Sequence, residues 1–112
     1  MKLNGQAARL RIIVGETDLV YQRPLYEAIV FAAKKYKLSG ATVSKGAMNY
    51  GAQSMKQSIK VFELSEDRPM IIELIDYPER LRDFASIAQK LIEKAEAGGI
   101  ITIEDLEVIY YG

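Results

Sequence analysis

Met70-Ile71-Ile72-Glu73-Leu74-Ile75-Asp76-Tyr77-Pro78-Glu79 runs a strand straight into a helix, and that junction decides the fold. From Met70 to Ile75 every position but Glu73 is apolar, the pattern of a short strand covered on both faces. Asp76, with Glu79 three residues on, has the spacing of a capping box. Pro78 suits a first turn, where its missing N–H has no partner in any case. Leu81, Phe84, Ala85, Ala88, Leu91, Ile92 and Ala95 then recur at helical spacing, and Gly98-Gly99 ends the helix.

Upstream, Ala8 to Gly15 alternates Leu10, Ile12 and Val14 with Arg9, Arg11 and Ile13, the period of a strand. Gly15-Glu16-Thr17-Asp18 breaks it. Pro24 opens a helix from Arg23 to Lys37, with Leu25, Ala28, Ile29, Ala32 and Tyr36 as its apolar stripe. Ser39-Gly40 closes that helix, and the β-branched Thr42 and Val43 begin a second strand. Ser58 to Leu64 reads as a hairpin arm that turns at Ser65 to Pro69. Ile100 to Tyr111 supplies the last strand, either whole or as a short piece ending near Glu104-Asp105 and a longer one from Leu106.

The order β-α-β-β-α-β, closed by two right-handed split crossovers, is an α+β ferredoxin-like sandwich: an antiparallel sheet with two helices on one face. Residues 1–112 form one domain, long enough to fold without disulfide or metal. In this topology the first strand lies between the strand before the second helix and the last strand. Arg11, Glu73 and Glu107 then share the open sheet face with Ile13, Ile71, Ile75 and Ile109. A sheet face meant for water is polar throughout, so these isoleucines imply a homo-oligomer.

Composition excludes more than any motif proves. With 15 Lys+Arg, 15 Asp+Glu and neither cysteine nor histidine, the chain has no basic excess for a nucleic-acid partner, no thiolate or imidazole chemistry, and none of the usual zinc and copper ligands. The acidic groups Glu16-Thr17-Asp18, Glu66-Asp67 and Glu104-Asp105 lack calcium-loop spacing and read as turn carboxylates. Ser44 and Lys45 are adjacent on a strand and so point to opposite faces, which leaves the serine without a base. No catalysis, metal or cofactor is expected. The chain has neither a signal-peptide core nor an apolar run of spanning length, so the expectation is a cytoplasmic protein without membrane insertion.

One stretch does not read as scaffold. Gly40-Ala41-Thr42-Val43-Ser44-Lys45-Gly46-Ala47-Met48-Asn49-Tyr50-Gly51 combines glycines with positive charge, the raw material of an anion site. Ser44, Lys45 and Gly46 at the strand exit, Lys56 beyond the loop, and Gly98 with Gly99 after the second helix are the candidate ligand-binding residues. They converge if subunits pack side by side.

Several segments carry a resemblance that spans nearly the whole chain in order. They are Arg9-Leu10-Arg11-Ile12 with Gly15-Glu16; Pro24-Leu25-Tyr26-Glu27-Ala28-Ile29-Val30; Gly40-Ala41-Thr42-Val43 with Gly46 and Gly51; Leu64-Ser65-Glu66-Asp67-Arg68-Pro69; and Gly99-Ile100-Ile101-Thr102. Together they resemble an uncharacterised family of small bacterial and archaeal proteins grouped with the PII-like signalling proteins. The resemblance implies a compact trimer built on the open sheet faces, sensing of a small anionic ligand such as a nucleotide in the subunit clefts, and a 46–56 loop that touches a protein partner. The chain departs from true PII proteins after the second helix, where Ala97-Gly98-Gly99-Ile100 lacks the lysine of their phosphate loop, and in its last strand, which has no arginine. The leading expectation is therefore a non-enzymatic PII-like regulatory protein. The second is a structural or adaptor oligomer that binds a protein partner and no metabolite.

Overall fold

The computed structural model describes residues 5–46 and 68–112. The expected hairpin arm at 58–64, together with Tyr50, Gly51 and Lys56, lies outside them. Strand β1 (Gly5–Gly15) is followed by a miniature hairpin, β2 (Leu19–Val20) and β3 (Arg23–Pro24), and then by α1 (Leu25–Lys35). After these come β4 (Thr42–Lys45), β5 (Pro69–Asp76), the second helix α2 (Pro78–Lys94) and β6 (Gly99–Val108). The main sheet has the order β4-β5-β1-β6 with every pairing antiparallel, and this is the ferredoxin-like sandwich.

Alternation in β1 sorts the two faces. Leu10, Ile12 and Val14 are at most 1% exposed and meet Ile72 and Leu74 of β5 beneath Leu25, Ile29, Leu81 and Phe84 of the helices. Each such side chain contributes about 1.5–3 kcal/mol by leaving water. The rings of Tyr36 and Phe84, with centroids 6.0 Å apart and tilted by 49°, join the two helices.

Helix boundaries differ from the sequence reading for local reasons. Pro24 does not enter α1; it caps it in an extended conformation while Arg23 and Pro24 pair with Val20 and Leu19. Neither helix ends on a glycine. Lys37 (φ 65) and Glu96 (φ 55) adopt the left-handed conformation, and Leu38 N–H donates to Ala33 O as Ala97 N–H donates to Ile92 O, the six-to-one bond of a Schellman motif. Gly98 and Gly99 instead lead into β6, one unbroken strand rather than two pieces.

Asp76 is not a helix cap either. Its side chain is fully buried, and its carboxylate accepts the N–H of Tyr77 at 2.7 Å and of Ser39 at 3.0 Å. Arg80 Nε lies 3.3 Å from the same carboxylate, while Arg80 Nη2 donates to the carbonyls of Tyr36 and Lys37 at 3.2 and 2.7 Å. One acid and one guanidinium therefore tie the end of α1, the start of α2 and the end of β5 together. The guanidinium also supplies positive charge at the C-terminus of α1, where the helix dipole favours it.

The open face carries Arg9, Arg11 and Ile13 of β1, flanked by Ile71, Glu73 and Ile75 of β5 and by Ile100, Thr102 and Glu104 of β6. Arg11 donates to Glu73 through Nε and Nη2 at 3.0 and 2.7 Å, as its expected pairing requires. Its other expected partner does not reach it: Arg11 stands opposite Thr102, and Glu107 stands opposite Gln6. Arg9 instead pairs with Glu104, which holds the Glu104 carboxyl below and the Arg9 guanidinium above their ordinary values. Ile109 lies beyond β6, 85% exposed, and takes no part in the face.

Candidate functional site

At one end of the sheet, Lys45, Met70, Val14 and Gly99 form a single row across β4, β5, β1 and β6. The chain leaves β4 at this end and returns into β5, so the described candidates Ser44, Lys45, Gly46, Gly98 and Gly99 all sit at or beside it. Within one chain they remain apart, because three strand spacings separate Lys45 from Gly99 by about 14 Å.

Ser44 and Lys45 point to opposite faces, as adjacent strand residues must. Ser44 stands opposite Ile71 on the open face, whereas Lys45 stands opposite the buried Met70 on the helical side. The Lys45 ammonium lies 2.6 Å from Glu16 Oε2, and both side chains are partly exposed.

Gly46 donates its N–H to Pro69 O at 2.8 Å, and Glu16 donates to Arg68 O at the same distance. These bonds pin both ends of the intervening segment to the sheet. The glycines serve close approach. A Cβ on Gly46 would stand 2.5 Å from Pro69 Cγ, and one on Gly99 would stand 2.9 Å from the Ile13 carbonyl oxygen. Gly98 is partly exposed between α2 and β6, and Lys56 lies outside the described residues.

From sequence, Glu16 and Asp18 read as turn carboxylates, and for Asp18 the structure agrees: its Oδ2 accepts Gly15 N–H at 2.8 Å. The link from Glu16 to Lys45 has no local signal. Tyr26 has none either. Its phenol has a raised pKa, first through burial, then through Glu27, which accepts its hydroxyl at 3.3 Å, and through Glu16, with Lys45 opposing. Glu16, Lys45, Tyr26 and Glu27 thus form one electrostatic group at the root of the 47–67 segment. Among the described residues no three acidic side chains converge to hold a metal ion, and no helix is long and apolar enough to cross a membrane.

Comparison with known proteins places this geometry. The model of the DUF190 family, described as uncharacterized ACR, matches residues 7–108. A UPF0166 protein of Aquifex aeolicus is 34% identical over 101 residues, covering 90% of this chain and 91% of its own. A UPF0166 protein of Methanocaldococcus jannaschii is 33% identical over 103 residues, covering 92% of each. Among solved structures, CPII of Thiomonas intermedia K12, bound to ADP, AMP and acetate, superposes with a TM-score of 0.67 at 15% identity, over 93% of this chain and 89% of that one. A protein of Thermus thermophilus described as PII-like signalling gives 0.58 at 14% identity, over 96% and 93%. At such identities the two structures show a shared fold.

Proposed function

We propose, from the premise that this chain belongs to the DUF190 family, that it is a non-enzymatic PII-like regulatory protein of the cytoplasm. It works as a trimer joined through the open sheet faces, takes a small anionic ligand at the clefts between subunits, and contacts a protein partner through the 46–56 loop. The observation that carries this reading is the Lys45–Glu16 pair. An ammonium group at the root of the loop is already occupied by an anion, and a partly exposed pair of this kind is worth only about 0–1 kcal/mol. A ligand phosphate or carboxylate displaces Glu16 at little cost. Because the main chain of Glu16 is bonded to Arg68 and the residue after Lys45 to Pro69, the exchange acts where the chain enters and leaves the 47–67 segment that contains the loop. A CPII that holds ADP, AMP and acetate on the same fold supports an anion of the nucleotide class.

Thermal unfolding with ADP, AMP, acetate and orthophosphate, each added separately, tests the reading. A ligand present at 100 times its Kd adds about 2.7 kcal/mol, which raises Tm by roughly 10 °C in a domain of this size. ADP or AMP is expected to produce such a rise. If all four leave Tm unchanged, the anion site is refuted and the adaptor reading takes its place.

A further inference from the structure

We propose that the groove between α1 and the outer edge of β4 docks an extended segment of a partner protein whose groove-facing side chains are apolar at the centre and carboxylates on either side. Gly46 N–H bonds to Pro69 O, and antiparallel ladders alternate, so Thr42, Ser44 and Gly46 turn their main-chain groups toward β5. Val43 and Lys45 therefore turn theirs outward. Among the described residues no strand lies on that side of β4.

The Val43 side chain stands on the helical face and forms one wall of a groove of ≈ 340 Å³, whose apolar lining is completed by Tyr26, Val30 and Phe31. Phe31 is 50% exposed, although large apolar side chains on α1 are otherwise turned to the core. An extended chain laid along β4 takes main-chain hydrogen bonds from Val43 and Lys45 and sends every second side chain into this groove, the geometry of strand addition at a sheet edge.

Charge selects the occupant. Arg23 and Lys34 line the rim, and the Arg23 guanidinium and Lys35 ammonium stand 5.5 and 5.3 Å from the centre of the Phe31 ring. Among the described residues none of these three cations has an ion-pair partner. Glu27 is the acid in the lining, and it accepts the Tyr26 hydroxyl. Because only every second residue of the added strand faces α1, the carboxylates must stand two positions before and after the apolar residue, on its own side; such a segment meets both halves of this surface, and a basic one is repelled. The proposal stands apart from anion exchange at Lys45, since it needs no small ligand.

The test uses a short fluorescein-labelled synthetic peptide in which glutamate, phenylalanine and glutamate occupy every second position with threonine between them, titrated with the full chain and followed by anisotropy. Its counterpart carries lysine at each glutamate. Saturable binding of the glutamate peptide alone is expected, weakened by about tenfold in Phe31→Ala, whose side chain lies half outside the core, and again in Val43→Pro, which removes an outward N–H. The proposal is overturned by an absence of saturable binding, by equal binding of the lysine peptide, or by affinity indifferent to both substitutions. It is equally overturned if Phe31→Ala dissociates the protein's own oligomer in sedimentation, because the groove then holds a second copy.

Discussion

Asp76→Ala is expected to cost about 3–5 kcal/mol of folding stability, the range for removing one partner of a buried charged pair. The carboxylate is fully buried and satisfies the N–H groups of Ser39 and Tyr77 while facing Arg80. Its removal strands two donors and leaves the guanidinium without its counter-charge. Urea unfolding followed by circular dichroism measures the loss as a fall in midpoint at unchanged slope. Glu79→Ala supplies the contrast. If Asp76 and Glu79 were a capping box, both changes would act alike; because Glu79 is exposed and acts only through the helix dipole, its loss is expected to cost less than about 1 kcal/mol. Equal effects of the two variants would return Asp76 to the role of a cap.

On the proposed trimer, Ile71→Lys is expected to give a monomer or an aggregate. Ile71 stands between Ser44 and Ile13 on the open face, where no helix among the described residues covers it, and Ile100 beyond Ile13 is 54% exposed. An ammonium group placed against a neighbouring copy of this face has no carboxylate within the isoleucine row to pair with, and an unpaired buried charge costs several kcal/mol. Sedimentation velocity, with far-ultraviolet circular dichroism as the control for folding, reads the result. An unchanged sedimentation coefficient would place the interface elsewhere.

How far the sequence alone reaches is visible at Arg11. Alternation in β1 and β5, with the strand order of the fold, is enough to bring Arg11 to Glu73. The same reasoning brings it to Glu107 and fails. Glu107 stands opposite Gln6 on the face of Leu10 and Ile12, while Thr102 and Glu104 take the open face, so the reading misses β6 by an odd number of residues, the offset that moves every side chain to the other face. Asp76 fails for another reason: its spacing to Glu79 matches a local cap, and the backbone of Ser39, distant in sequence, claims the carboxylate instead. Local signals also misplace the helix ends, where Lys37 and Glu96 take a conformation that glycine is expected to supply. At the candidate site, sequence places Lys45 and Gly46 at the strand exit, but the pair with Glu16 depends on β1 and β4 lying on either side of β5, a relation no spacing encodes.

The most direct measurement is a calorimetric titration of ADP into the wild-type protein and into the variant carrying both Lys45→Ala and Lys56→Ala. Anion exchange at the loop root predicts a saturable isotherm for the wild type, weakened by about a hundredfold in the double variant, since each lost charged hydrogen bond is worth about 1.5–3 kcal/mol. The unliganded melting temperature is expected to stay nearly the same in both proteins, since the partly exposed Lys45–Glu16 pair is worth only about 0–1 kcal/mol. A flat wild-type titration, or an isotherm that the double variant leaves unaltered, would contradict it.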